Sequence, residues 1–289
     1  MVVKMKKILN LFFGEVEEFA ALEFSFHMAA EFKAYLQSIH ISIDDPGVYA
    51  EIGMTASVMH AIEATLKTEN LKKAEAAKKI YHDKFLTFLE KHNNPQLVFD
   101  QHSSWTHISG FPSDLVSKYG RLCDLIIVSQ HLFNKKLPFV SSAESALFET
   151  GNPVLVVPNV HKAKKVLGGK VALAWDGSIQ SSRALHRSLP ILQKSKEIVI
   201  LTAKEEKNKA AHAEDVLTYL SYYNIKAHHK AVDVKDYSVG EALMINALSE
   251  KVDSMVMGAY THNRYRQMVF GGATSFMLGH AEIPIFMVH

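Results

Sequence analysis

The chain has 289 residues, 48% hydrophobic and 21% charged, with a formal net charge of +2 and one cysteine, Cys123. That length and composition predict about two domains with substantial cores, and a charge so near balance gives no electrostatic basis for a nucleic-acid partner. A lone cysteine excludes an intramolecular disulfide and fits a reducing, cytoplasmic setting, and no apolar run reaches the ~18 residues of a membrane span.

The first segment, Met1 to Gly14, has lysines and then a short apolar run, but Glu15, Glu17 and Glu18 follow where a signal peptide would need small residues. Residues Ile8 to Phe13 therefore read as a first buried strand. Between Asp44 and Asn94 the chain is rich in Ala, Lys and Glu and predicts an extended helix. Its Lys72, Lys73, Lys78 and Lys79 belong on a solvated face rather than in an anion site. Asp124 to Ser129 reads as a strand, Glu144 to Glu149 as helix, and Gly151 to Val157 as a strand. A polar, basic stretch ending in Gly168-Gly169 reads as a linker over 159–169, between halves at 1–158 and 170–289.

The second half alternates strand and helix. Strand Val171–Ala174 leads to a helix near Ser181–Gln193, and strand Ile198–Ala203 to one near Ala211–Tyr223. A strand around His229–Val234 leads to a helix at Gly240–Glu250. A strand at 254–258, a helix from Thr274 and a strand opened by Pro284 finish the chain. The first half repeats this wording: Lys7 to Gly14 resembles Lys170 to Gly177, and Asp124 to Pro153 is spaced like Asp253 to Pro284. Continuous apolar strands imply a sheet covered on both faces, hence parallel. The expectation is an α/β chain of two tandem, doubly wound, five-stranded parallel sheets, Rossmann-like. The apolar last strands, Val154–Val157 and Ile285–Val288, would lie at sheet edges and join the halves, and whole chains would form homodimers.

In such a sheet ligands sit at the carboxyl ends of the strands, at the switch point. That brings Trp175 to Ser178 beside Met257, Gly258 and the segment running to Thr274. Glycine permits close approach of backbone N–H groups to phosphate, and Gly271 and Gly272 precede a helix whose N-terminus favours an anion. Thr274 would cap that helix or touch a phosphate. Asp176 would accept hydrogen bonds from adenine or ribose, and Ala203 would wall the base. The bland readings are a tight turn with its cap at 271–274 and a strand-end turn at Asp176.

The C-terminal half resembles a universal stress protein domain. Nucleotide-binding members carry Gly, two residues, Gly, nine residues, then Gly followed by Ser or Thr. Gly258 and Gly271 match the outer glycines with twelve residues between them. Asp176 matches the aspartate ending the first strand. Thr261 stands at the second glycine and Gly272 at the Ser/Thr position, with Thr274 two residues on. The resemblance, strongest over 251–289, implies ATP, held with Mg²⁺ by Asp176, Ala203, Met257, Gly258, Thr261, Gly271, Gly272, Ala273 and Thr274. His262, Arg264 and Arg266 are further candidates for phosphate contacts, or solvated loop charges. If the backbone at Thr261 is left-handed, its Cβ costs ~1 kcal/mol or more.

The N-terminal half has lost these features. Phe13 replaces the aspartate, Ser129 replaces Gly258, and Gln130 to Glu144 contains no glycine. This half is expected to bind no nucleotide and to serve as a packing partner. No P-loop, His-Glu-x-x-His or nucleophile–base pair occurs, and the scattered histidines lack ligand spacing for a metal. The favoured expectation is a non-enzymatic, ATP-binding regulator in stress response with a protein partner. The alternatives are a dimeric scaffold of the same family that binds no nucleotide, or a nucleotidyl transferase on the same fold.

Overall fold

A computed structural model of the chain describes residues 5–43, 56–92, 102–134, 142–159, 169–203, 213–259 and 272–289. In the first half, β1 (Lys7–Leu11), α1 (Phe19–Phe32), β2 (Tyr35–Ser42), α2 (Ala56–His92), β3 (Ser103–Ser109), α3 (Pro112–Gly120), β4 (Leu125–Ser129), α4 (His131–Asn134), α5 (Ser142–Glu149) and β5 (Val154–Val157) follow one another. A 3₁₀ turn at Val16–Glu18 precedes α1. The second half holds β6 (Lys170–Ala174), α6 (Ile179–Leu192), β7 (Glu197–Ala203), α7 (Ala213–Ser221), β8 (Ala227–Val232), α8 (Val239–Ser249), β9 (Ser254–Gly258), α9 (Ala273–His280) and β10 (Ile285–Val288).

All ten strands form one sheet in the order β3-β2-β1-β4-β5-β10-β9-β6-β7-β8. Within each half every pair is parallel, as the continuous apolar runs require. The two last strands meet antiparallel, with Phe286 opposite Leu155 and Ile285 opposite Val156. Val154–Val157 and Ile285–Val288 therefore join the halves as their apolar wording predicts. Because that junction is antiparallel, the carboxyl ends of the strands point to opposite edges of the sheet in the two halves.

Helices cover both faces. One core, packed under α1, α2, α6 and α7, includes Phe12, Phe26, Tyr81, Leu155, Leu173 and Phe286. The other, under α3, α4, α5, α8 and α9, includes Leu11, Val128, Val156, Met257, Met277 and Met287. Each core is thus built from residues of both halves. The helix expected between Asp44 and Asn94 is the 37-residue α2. It buries Ala74, Ala77, Tyr81, Phe85 and Phe88 at helical spacing and leaves Lys72, Lys73, Lys78 and Lys79 exposed. Tyr81 and Phe85 make edge contacts with Phe26 of α1, at centroid separations of 5.5 and 5.3 Å. Among the described residues no helix is long and apolar enough to cross a membrane.

The first strand ends earlier than expected. Phe12 N–H still bonds Ile39 O at 3.1 Å, but Phe13 N–H turns away to the Glu18 carboxylate at 2.7 Å, so β1 closes at Leu11. The strand expected around His229–Val234 is also shifted: β8 is Ala227–Val232, because its register follows β7, with Val199 opposite His228.

Candidate functional site

The switch point of the second half lies between β6 and β9: β7 and β8 extend one way, β10 the other. Ala174 is level with Met257, and Val288 with Gly258. Trp175 N–H continues the ladder to Leu201 O at 2.9 Å. Asp176, Ala203 and Gly258 therefore stand at the carboxyl ends of three adjacent strands. The helix carrying Gly272, Ala273 and Thr274 begins at this edge too, since it runs from the carboxyl end of β9 back to the start of β10. Thr261, His262, Arg264, Arg266 and Gly271 lie outside the described residues.

Each placed residue has a local cause. Asp176 is exposed, and its Oδ1 accepts the Ser178 N–H at 3.0 Å, the strand-end turn anticipated for it. Ser178 is the N-cap of α6, its Oγ accepting Ser181 N–H at 3.1 Å. Ala203 is half-buried at the end of β7. Met257 is buried in the second core, so its side chain belongs to packing and only its backbone faces the site's edge.

Gly258 is required by packing. A Cβ there would stand 2.6 Å from Ser181 N and 2.7 Å from the Gln180 carbonyl carbon, inside the first turn of α6. Its absence lets β9 and α6 approach, a reason distinct from closeness to phosphate. Gly272 is required by conformation. Its φ is +128°, with open space where a Cβ would point. It is the N-cap of α9 and offers no side-chain cap. The capping role expected of Thr274 is corrected accordingly: Thr274 lies at the second position inside the helix and is buried. Trp175 packs on the first core with its indole N–H buried and without a hydrogen-bond partner among the described residues.

The same edge of the first half is filled by its own side chains. Glu18 is fully buried and accepts the N–H groups of Phe13 at 2.7 Å and Glu15 at 3.1 Å. His131 Nε2 lies 2.9 Å from Glu15 Oε2 and 3.9 Å from Glu18 Oε1, and its Nδ1 lies 3.0 Å from Ser129 Oγ. The Ser129 hydroxyl also donates to Glu17 O at 2.8 Å. Ser129 stands at the position matching Gly258 and bonds to Glu17 in the turn before α1, where Gly258 instead packs on the first turn of α6. Nearby, the Phe13 ring lies 5.4 Å from that of His40, and His40 5.8 Å from Trp105. Burial, then neighbouring His107, holds the His40 pKa down to about 4. The sequence shows only the exchanges at Phe13 and Ser129: His131 lies 116 positions from the Glu15 it meets, and the inward turn of Glu18 depends on side-chain direction.

Cys123 is buried ahead of β4, and burial pushes its thiol up to about 12, out of reach of nucleophilic use.

No family model matches the chain, and no curated protein matches it in sequence. Its fold has solved counterparts along its whole length. A universal stress protein from Archaeoglobus fulgidus superposes with a TM-score of 0.71 at 16% identity, covering 98% of this chain and 95% of that one. A functionally unknown protein from Pseudomonas aeruginosa superposes at 0.57 and 13% identity, covering 98% and 92%. A candidate universal stress protein from the same species gives 0.56 and 13%, covering 98% and 93%. The chain thus has the fold of these proteins, in two halves of universal-stress-protein type.

Proposed function

We propose that this chain is a universal stress protein that regulates by binding an adenine nucleotide, ATP with Mg²⁺, in its C-terminal half alone. The observation that carries this reading is the contrast between the two switch points. In the second half Asp176, Ala203 and the start of α9, whose N-cap Gly272 has no side chain, converge on one edge. In the first half the matching edge holds Phe13, Glu15, Glu18 and His131. A carboxylate that already takes two backbone N–H groups leaves them nothing to offer a phosphate, and it repels one.

The chain's residues would divide the work as follows. Asp176 keeps an acceptor at the sheet edge for adenine or ribose. Ala203 leaves room for a flat base beside β7. The first N–H groups of α9 point toward an anion, and Gly271, Thr261, His262, Arg264 and Arg266 supply the intervening segment. Mg²⁺ would offset phosphate charge. Binding changes the surface offered to a protein partner. No catalytic role is assigned to any residue. The division at 1–158, 159–169 and 170–289, with the first half a degenerate copy, follows from the same reading.

Titration calorimetry of Mg·ATP into the nucleotide-free protein tests it. Micromolar, one-to-one binding that is lost in Gly271→Asp and weakened about tenfold in Asp176→Ala is expected. A folded protein that takes up no ATP would favour the scaffold reading. One observation supports that alternative: Gly258 and Asp176 both have structural reasons to be present without any ligand. Since β5 and β10 already pair with each other, a homodimer in either case would use another surface.

A further inference from the structure

Ser129, Gln130 and His131 are consecutive, yet they serve different halves. Ser129 and His131 bond to the β1–α1 turn of their own half. Gln130 is buried between them and turns to the other half. Its backbone N–H extends the β4–β5 ladder to Val157 O at 2.8 Å. Its side-chain Nε2 donates to Met277 O at 3.2 Å and Ala281 O at 3.3 Å. Two carbonyls can be faced only by an amide NH₂, so the orientation of Gln130 is unambiguous.

Met277 lies in the last turns of α9 and Ala281 is its C-cap. Carbonyls at a helix C-terminus have no donor within the helix and need one from elsewhere. The Met277 carbonyl accepts the Ala281 N–H at 3.2 Å and takes a second bond from Gln130, while the Ala281 carbonyl, past the end of the helix, takes its donor from the opposite half of the chain. The helix is eight residues long, so a contact at its C-terminal end also sets where its N-terminal end, Gly272 to Thr274, stands.

Among the described residues the arrangement has no counterpart in the other half. Ala259 occupies the place of Gln130, its N–H bonding Val288 O at 2.8 Å, but it carries only a methyl group. Helix α5, the counterpart of α9, is served from within its own half: Arg121 Nε donates to Glu149 O at 3.0 Å and Thr150 Oγ1 to Ala146 O at 2.6 Å. The dependence therefore runs from the first half to the second.

We propose that Gln130 is a positioning residue through which the N-terminal half holds α9, and with it one wall of the candidate site. The consequence for ligand rests on the nucleotide reading; the mechanical link does not.

Hydrogen exchange of the full, ligand-free chain tests the link. Gln130→Met keeps the length of the side chain and removes both N–H donors. Amides of α9 should then exchange about tenfold faster while those of β6 and β9 keep their protection. Gln130→Lys, which restores a donor, should return α9 toward wild type. Unchanged α9 rates, or an equal loosening of the whole sheet, would overturn the proposal. Should Gln130→Met fail to fold, the wild type still decides. Its Gln130 side-chain amide protons must exchange far more slowly than those of free glutamine, and free exchange would refute the contact. Mg·ATP affinity should fall about tenfold in Gln130→Met, and an unchanged affinity with a loosened α9 overturns the link to ligand. If the wild type binds no ATP, the nucleotide reading fails, and the exchange experiment still judges Gln130.

Discussion

Two glycines that look alike in a motif are present for different physical reasons. Gly258 lacks a Cβ because the first turn of α6 occupies that space. Gly258→Ala should therefore cost about 1–3 kcal/mol through overpacking, read as a lower denaturant midpoint with unchanged slope. Gly272 has open space but a φ of +128°. Gly272→Ala should cost roughly 1–3 kcal/mol through backbone strain alone, and no compensating small substitution nearby should rescue it. His40 makes a prediction about acid. Its folded pKa is about 4, against an ordinary 6.5. Between those values the unfolded chain binds the proton more readily, so stability is full above pH 6.5 and is lost as pH falls toward 4. His40→Phe should remove up to one proton from the slope of stability against pH in that window, measured by chemical denaturation at several pH values.

At the level of elements, the amino edge of the second half is fastened by charge. Glu250, at the end of α8, accepts Lys170 Nζ of β6 at 2.8 Å and Lys230 Nζ of β8 at 2.9 Å. Lys170 first, then Lys230, holds the Glu250 carboxyl down to about 2, and Glu250 in turn raises the pKa of Lys170. The carboxylate's contribution is complete above its ordinary value near 4.5 and disappears as pH falls through about 2. Glu250→Gln should accordingly flatten the acid limb below pH 4.5, and added salt should shrink the difference, since these groups are partly exposed. The outer strands show how the sheet ends without templating another chain. Strand β8 carries His228, His229 and Lys230, and polar, charged wording of this kind discourages edge pairing.

For the molecule as a whole, the joined sheet and two shared cores leave the halves no independent interior. Phe286 and Leu155 face each other across the junction and are both 2% exposed. Phe286→Ala should lower stability by about 3–5 kcal/mol and do so within one cooperative transition. Two resolved transitions in scanning calorimetry, only one of them displaced, would show that the halves unfold separately. The same continuity makes the dependence of α9 on Gln130 possible, because a side chain at the carboxyl end of the first half's strands reaches the amino end of the second half's.

Much of this was legible in the order of residues alone. The runs Leu125–Ser129, Val154–Val157 and Ile285–Val288 are apolar without alternation, and only a parallel sheet covered on both faces uses such strands. Their repetition specified two halves, and the apolar wording of the last strands foretold the junction. Asp176, Ala203 and Gly258 could be placed at one edge because strand ends follow from strand order. What the sequence could not show depends on which way side chains turn and on distances between residues remote along the chain. It could not show that Glu18 turns inward to take the amides of Phe13 and Glu15, or that His131 meets Glu15 across the sheet edge. Nor could it show that Gln130 reaches Met277, 147 positions away. Periodicity records which face of an element is buried; only the packed tertiary structure decides which partner waits there.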